Sequence, residues 1–88
     1  MLTINLVPVR VRGDAQNGEP DTHLFFLRLS GNDELSQKFA NDNKLSGADE
    51  FLIKRNEEDA KTKAHEIEIC AKEAGLETFV IKLEECAI

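Results

Sequence analysis

The chain has 88 residues, 41% of them hydrophobic and none of them Trp or Tyr, so five Phe carry the aromatic burial of a single small domain. Its net charge of −6 lies wholly in residues 32–88, because Arg10, Arg12 and Arg28 balance Asp14, Glu19 and Asp21 in residues 1–31. That distribution excludes a basic footprint for direct nucleic-acid binding. The longest apolar run, Leu24 to Leu27, is too short to span a bilayer, and Met1-Leu2-Thr3-Ile4-Asn5 lacks the basic start of a signal peptide, so the expected location is cytoplasmic and off the membrane.

Residues 2–12 read as a strand whose apolar phase switches. Leu2, Ile4 and Leu6 alternate in one phase and Val7, Val9 and Val11 in the other, with Pro8 at the switch. A bulge produces such a switch, and a proline that cannot donate to a ladder predicts a sheet edge. Residues 13–22 are breaker chemistry throughout and predict a wide, mobile loop within an N-terminal hairpin spanning 1–31. His23 to Leu29 is the most hydrophobic strand, apolar in both phases, and Gly31 closes it. Asn32 is expected to cap a short helix reaching about Asp42, with Leu35 and Phe39 facing the core. Asn43 to Asp49 is a turn-rich link.

The most legible stretch is a β-α-β unit over residues 50–84. Phe51-Leu52-Ile53-Lys54 and Phe79-Val80-Ile81-Lys82 bracket a helix that is punctuated at both ends. Asn56 is the predicted N-cap, its side-chain oxygen accepting from free first-turn amides. Glu57, Glu58 and Asp59 sit at the positive end of the helix dipole. Ala60, Ala64, Ile67, Ala71 and Ala74 fall on one face. Gly75 suits the left-handed residue that ends the helix, with Leu76 packing back on the last turn.

The predicted fold is α+β: a two-layer sandwich of order ββαβαβ, with a four-stranded mixed sheet and two helices on one face. The first two strands pair antiparallel, and crossovers lay the third and fourth parallel to the second. The opposite sheet face is then uncovered. Leu24, Phe26, Leu52 and Val80 are placed on it, the opposite-phase set being the alternative register. An apolar sheet face without a third layer marks a contact surface, unless the N-terminal strand or the 13–22 loop folds over it.

Candidate chemistry is sparse. His65-Glu66-Ile67-Glu68-Ile69-Cys70 carries ligand-type residues, but a zincin helix needs a second His where Ile69 stands. His65 and Cys70, five apart, diverge by roughly 140° around a helix and cannot share a metal or form a nucleophile–base pair. Cys70 is expected half-buried at the edge of the alanine stripe. A Cys70–Cys86 disulfide is excluded by a separation of roughly 20 Å, which predicts two free thiols. The 13–22 loop lacks the register of an EF-hand or a P-loop. No catalytic, cofactor-binding or metal-binding residues are assigned.

These residues point to a non-enzymatic acidic protein-binding module, a small inhibitor or regulator of a basic, nucleic-acid-handling partner. Phage or mobile-element anti-defence proteins of the anti-CRISPR type fit this size and charge. Ile69, which projects away from the alanine stripe among His65, Glu66 and Glu73, is the expected anchor in a polar rim. Leu24 and Phe26 are the partner-binding candidates of the open sheet face. A ligand-binding or regulatory domain that homodimerises through that face is the alternative. A small enzyme using Cys70 or His65 is the second alternative.

Overall fold

A computed structural model describes residues 1–47 and 49–87 of the chain. Its strands are β1 (Leu2–Val11), β2 (Thr22–Gly31), β3 (Leu52–Lys54), β4 (Thr78–Lys82) and β5 (Cys86–Ala87), with helices α1 (Glu34–Asp42) and α2 (Glu57–Glu73). The fold is α+β, a mixed sheet layered against two helices, as the sequence predicts. The sheet order is β3-β2-β1-β4, and β5 adds beside the far end of β1.

Strand directions differ from the expectation. β3 is antiparallel to β2, and β4 is parallel to β1, so neither runs parallel to β2. The short first helix is the reason. Nine residues of α1 rise only about 14 Å and end before the chain has travelled back along the ten residues of β2. The Leu45 carbonyl instead accepts from the Leu29 amide at 2.9 Å. The link has thus already turned beside the end of β2, and β3 continues down its edge. The 17-residue α2 then crosses the sheet and delivers β4 to the opposite side of β1. β1 is therefore central rather than an edge.

No bulge occurs in the β1–β2 pairing, which runs unbroken from Leu2↔Gly31 to Val11↔Thr22. Pro8 is tolerated at a gap on the other side of β1. The β4 ladder ends at Leu6↔Lys82 and the β5 ladder starts at Val9↔Cys86, so no strand there requires its missing donor. The apolar switch is real, since Leu2, Ile4 and Leu6 are buried on the helix side and Val9 on the other. The 13–22 loop holds a 3-10 turn at Ala15–Asn17, capped by Asp14, and the Asp21 carboxylate accepts from the Gly13 amide at 2.9 Å.

The core is one layer between sheet and helices. Leu2, Ile4, Leu6, Leu27 and Leu29 meet Ala60, Ala64, Ile67 and Ala71, with Ala40, Leu45 and Leu76 closing one end. The alanine stripe lets α2 approach closely, although Ala74 is exposed beyond it. The Asn56 side chain accepts from the Asp59 amide at 2.8 Å. At the other end Gly75, at φ 83°, donates to Lys72 while Leu76 donates to Ala71. The α1 cap is Asp33 rather than Asn32, its side chain accepting from the Ser36 amide at 2.8 Å. This turns Ser36 and Ala40 inward and leaves Leu35 exposed, with Phe39 half-buried. Among the described residues no helix is long and apolar enough to cross a membrane.

Candidate functional site

Strand pairing fixes which side chains share the sheet face turned away from the helices. Successive strand residues alternate faces, and the register carries that alternation across the sheet. The outer positions are Thr3, Asn5, Val7, Val9 and Val11 of β1, and Thr22, Leu24, Phe26, Arg28 and Ser30 of β2. Ile53 joins them from β3, Phe79 and Ile81 from β4, and Cys86 from β5. Leu24 and Phe26 occupy this face as expected. Leu52 and Val80 do not; they lie on the helix side, opposite Leu27 and Ile4. The last two strands therefore follow the opposite-phase register. Phe51, just before β3, stacks on Phe26 with ring centroids 4.7 Å apart and an interplanar angle of 10°.

The face is largely apolar and open toward β3 and β4, while Val9 near its β5 end is buried. Phe79 is 54% exposed, Ile53 51% and Leu83 42%. β1 does not cover it, because β1 is a strand within the sheet. Phe51, Ile53, Phe79 and Ile81 were not among the expected face residues. Their signal was present in the repeated Phe-x-Ile spacing, but strand direction and register were needed to interpret it.

Arg28 is the one charged side chain among the outer strand positions. Its Nη2 donates to the Gly47 carbonyl at 2.7 Å and reaches the Ser46 carbonyl at 3.4 Å, tying β2 to the link. Its Nε is buried and has no acceptor. The ion pairs of the described residues engage Arg10, Lys61, Lys63 and Lys82 but not Arg28. Beside it Asn5 donates to the Ser30 hydroxyl at 3.2 Å. Asn5, Val7, Arg28, Ser30, Ser46 and Leu83 line a cleft of about 240 Å³.

The other expected site residues lie on the outer side of α2. Ile69 is 46% exposed. Glu66 and Glu73 are exposed with it, and Lys63 pairs with Glu66 at 3.5 Å. His65 Nδ1 is 3.7 Å from Glu68, which also accepts from the Thr78 hydroxyl at 3.2 Å. α2 packs on the helix side of the sheet, so Ile69 and its neighbours face away from Leu24 and Phe26. The expected residues form two surfaces. Cys70 is exposed rather than half-buried, because Ala71 takes the buried position, and Cys70 and Cys86 are free thiols. Among the described residues no three His, Cys, Asp or Glu side chains converge as a metal site.

A second cleft, about 290 Å³, opens where β4 and β5 part, near Pro8, His23, Glu57 and Lys82. Its charges satisfy one another. Lys82 hydrogen-bonds Glu57, and Glu85 lies 3.9 Å from Arg10 and 3.7 Å from His23. The Lys82 ammonium holds the Glu57 carboxyl below its ordinary value, with Lys61 adding to the effect. The chain matches no protein-family model, no curated protein and no solved structure.

Proposed function

We propose that this chain is a non-enzymatic protein-binding module whose uncovered sheet face seats a partner protein. The observation that carries the reading is that face, with Ile53 exposed beside the stacked Phe26–Phe51 pair, Leu83 exposed near Val7, and Phe79 exposed on β4 beyond the polar Asn5 and Arg28 positions. Leu52 and Val80 lie on the helix side, and Ile53 of β3 with Phe79 and Ile81 of β4 are left on the other. Large apolar side chains left exposed on one sheet face are a signature of a binding site.

A second reading is favoured by Ile69. This exposed isoleucine sits among Glu66, Glu73 and His65 in the acidic part of the chain, an arrangement suited to a basic, nucleic-acid-handling partner. Under it the protein is an inhibitor or regulator of the anti-defence type. Affinity capture from the source cell separates the two surfaces. A partner retained by the wild-type chain and by Ile69→Glu, but lost by the double variant Ile53→Glu/Phe79→Glu, supports docking on the sheet face. Loss with Ile69→Glu alone supports the helix surface. Light scattering on the isolated chain separates both from homodimerisation through the open face, which gives twice the 9.9 kDa monomer mass.

A further inference from the structure

We infer that the occupant of the open sheet face is an acidic, apolar polypeptide element that places a carboxylate on Arg28. The inference rests on that face being the docking surface. It goes beyond that reading by fixing the partner's chemistry.

Arg28 is unusual in its setting. The chain carries 17 carboxylate residues against 11 cationic ones, and its other ion pairs are made readily at the surface. Yet among the described residues this half-buried guanidinium makes no ion pair, the nearby Glu50 carboxylate accepting instead from the Gly47 amide at 2.8 Å, and its Nε is sealed off without an acceptor. Its one good hydrogen bond goes to a backbone carbonyl, at Gly47. The buried Nε cannot meet a docking group and Nη2 is engaged, so the donors left for a carboxylate are those of Nη1, which among the described residues is neither hydrogen-bonded nor buried. Asn5, Ser30 and Ser46 around it add neutral polar groups rather than a competing anion.

The surrounding face sets the rest of the partner's character. Phe26, Phe51, Ile53, Phe79 and Leu83 require apolar side chains against them. Charge complementarity then argues against the other occupants. A second copy docking by a two-fold axis would oppose this face to itself. Arg28 is the only charge at its strand positions, so that copy offers no carboxylate there and brings a second guanidinium instead. A basic partner would meet Arg28 with like charge on a surface of low dielectric.

The test uses the full chain, immobilised, and a displayed library of random dodecapeptides. Enriched peptides are expected to combine Leu, Phe or Trp with at least one Asp or Glu, and to lose binding to Ile53→Glu/Phe79→Glu. Arg28→Gln is expected to weaken them about tenfold or more, Arg28→Lys to recover part of that loss, and Arg28→Glu to select Lys- or Arg-bearing peptides in their place. Melting curves check each variant, since Arg28 also holds the link. The composition enriched on the wild-type chain needs no variant at all. Enrichment of basic or uncharged peptides on the sheet face, or indifference to Arg28→Glu, overturns the inference and leaves face docking intact. A dimer dissociated by Ile53→Glu/Phe79→Glu overturns it in favour of a second copy. Peptides lost only with Ile69→Glu, or no enrichment at all, overturn the face docking itself and the inference with it.

Discussion

Replacing both Ile53 and Phe79 by Glu should leave the chain folded, and that outcome separates an open face from a second core. Ile53 is 51% exposed and Phe79 54% exposed, so each keeps about half of its surface in water. Full burial of such a side chain contributes roughly 1.5–3 kcal/mol, so half burial contributes about 1 kcal/mol at each position. The sites lie on β3 and β4, with β2 and β1 between them. With four residues of register between them as well, that places them about 19 Å apart, far enough for their effects to add. The double variant should therefore lose about 2 kcal/mol. By contrast Leu27, fully buried on the other side of the sheet, should cost about 2–5 kcal/mol as Leu27→Ala alone. Urea unfolding followed by far-ultraviolet circular dichroism gives both numbers, with an unchanged m value for the face variant. A loss above about 3 kcal/mol for either single face substitution would refute the reasoning, because only a covered side chain carries that much.

Three further outcomes test the scaffold. Gly75→Ala should cost about 1 kcal/mol through the left-handed backbone at φ 83° alone, since an added Cβ meets nothing within 4 Å. A neutral result in urea unfolding would mean that the α2 terminus is not held in this conformation. Ala64→Leu, at a position 2% exposed between α2 and the sheet, should destabilise by about 1–3 kcal/mol through overpacking. A raised melting temperature would show that α2 stands further from the sheet. Glu57 has its carboxyl lowered by the Lys82 hydrogen bond, so its contribution is fully present above the ordinary value of 4.5 and is lost as pH falls through the lower folded value. Wild type and Glu57→Gln should thus differ in urea midpoint at neutral pH and converge in acid. Parallel curves across that range would remove the ion pair from the account.

What the sequence disclosed was local. The α2 caps at Asn56 and Gly75, and its buried stripe from Ala60 to Ala71, depend on neighbours a few residues away. Each is visible as a residue type at a fixed spacing. The strand directions were not visible, because they turn on how far a nine-residue helix can carry the chain and on one long-range hydrogen bond, Leu29 to Leu45. The phase of the last two strands was misjudged separately: Leu52 and Val80 pair with the inward Leu27 and Ile4, which puts Ile53, Phe79 and Ile81 on the open face. β2 escaped that error because it is apolar in both phases. Arg28 could not be singled out at all from the sequence. Its interest lies in the carboxylate it lacks, and only the paired strands reveal which side chains surround it. Ile69 was found from periodicity alone, but periodicity could not tell that it lies on the opposite layer from Leu24 and Phe26.

Oxidative footprinting of the chain, free and in complex with its captured partner, tests the central claim most directly. Docking on the sheet face predicts that oxidation of Phe79, Ile53 and Leu83 falls severalfold on binding while Ile69 on the opposite layer keeps its free rate. Protection of Ile69 with Phe79 unchanged would contradict the account and move the binding surface to the outer face of α2.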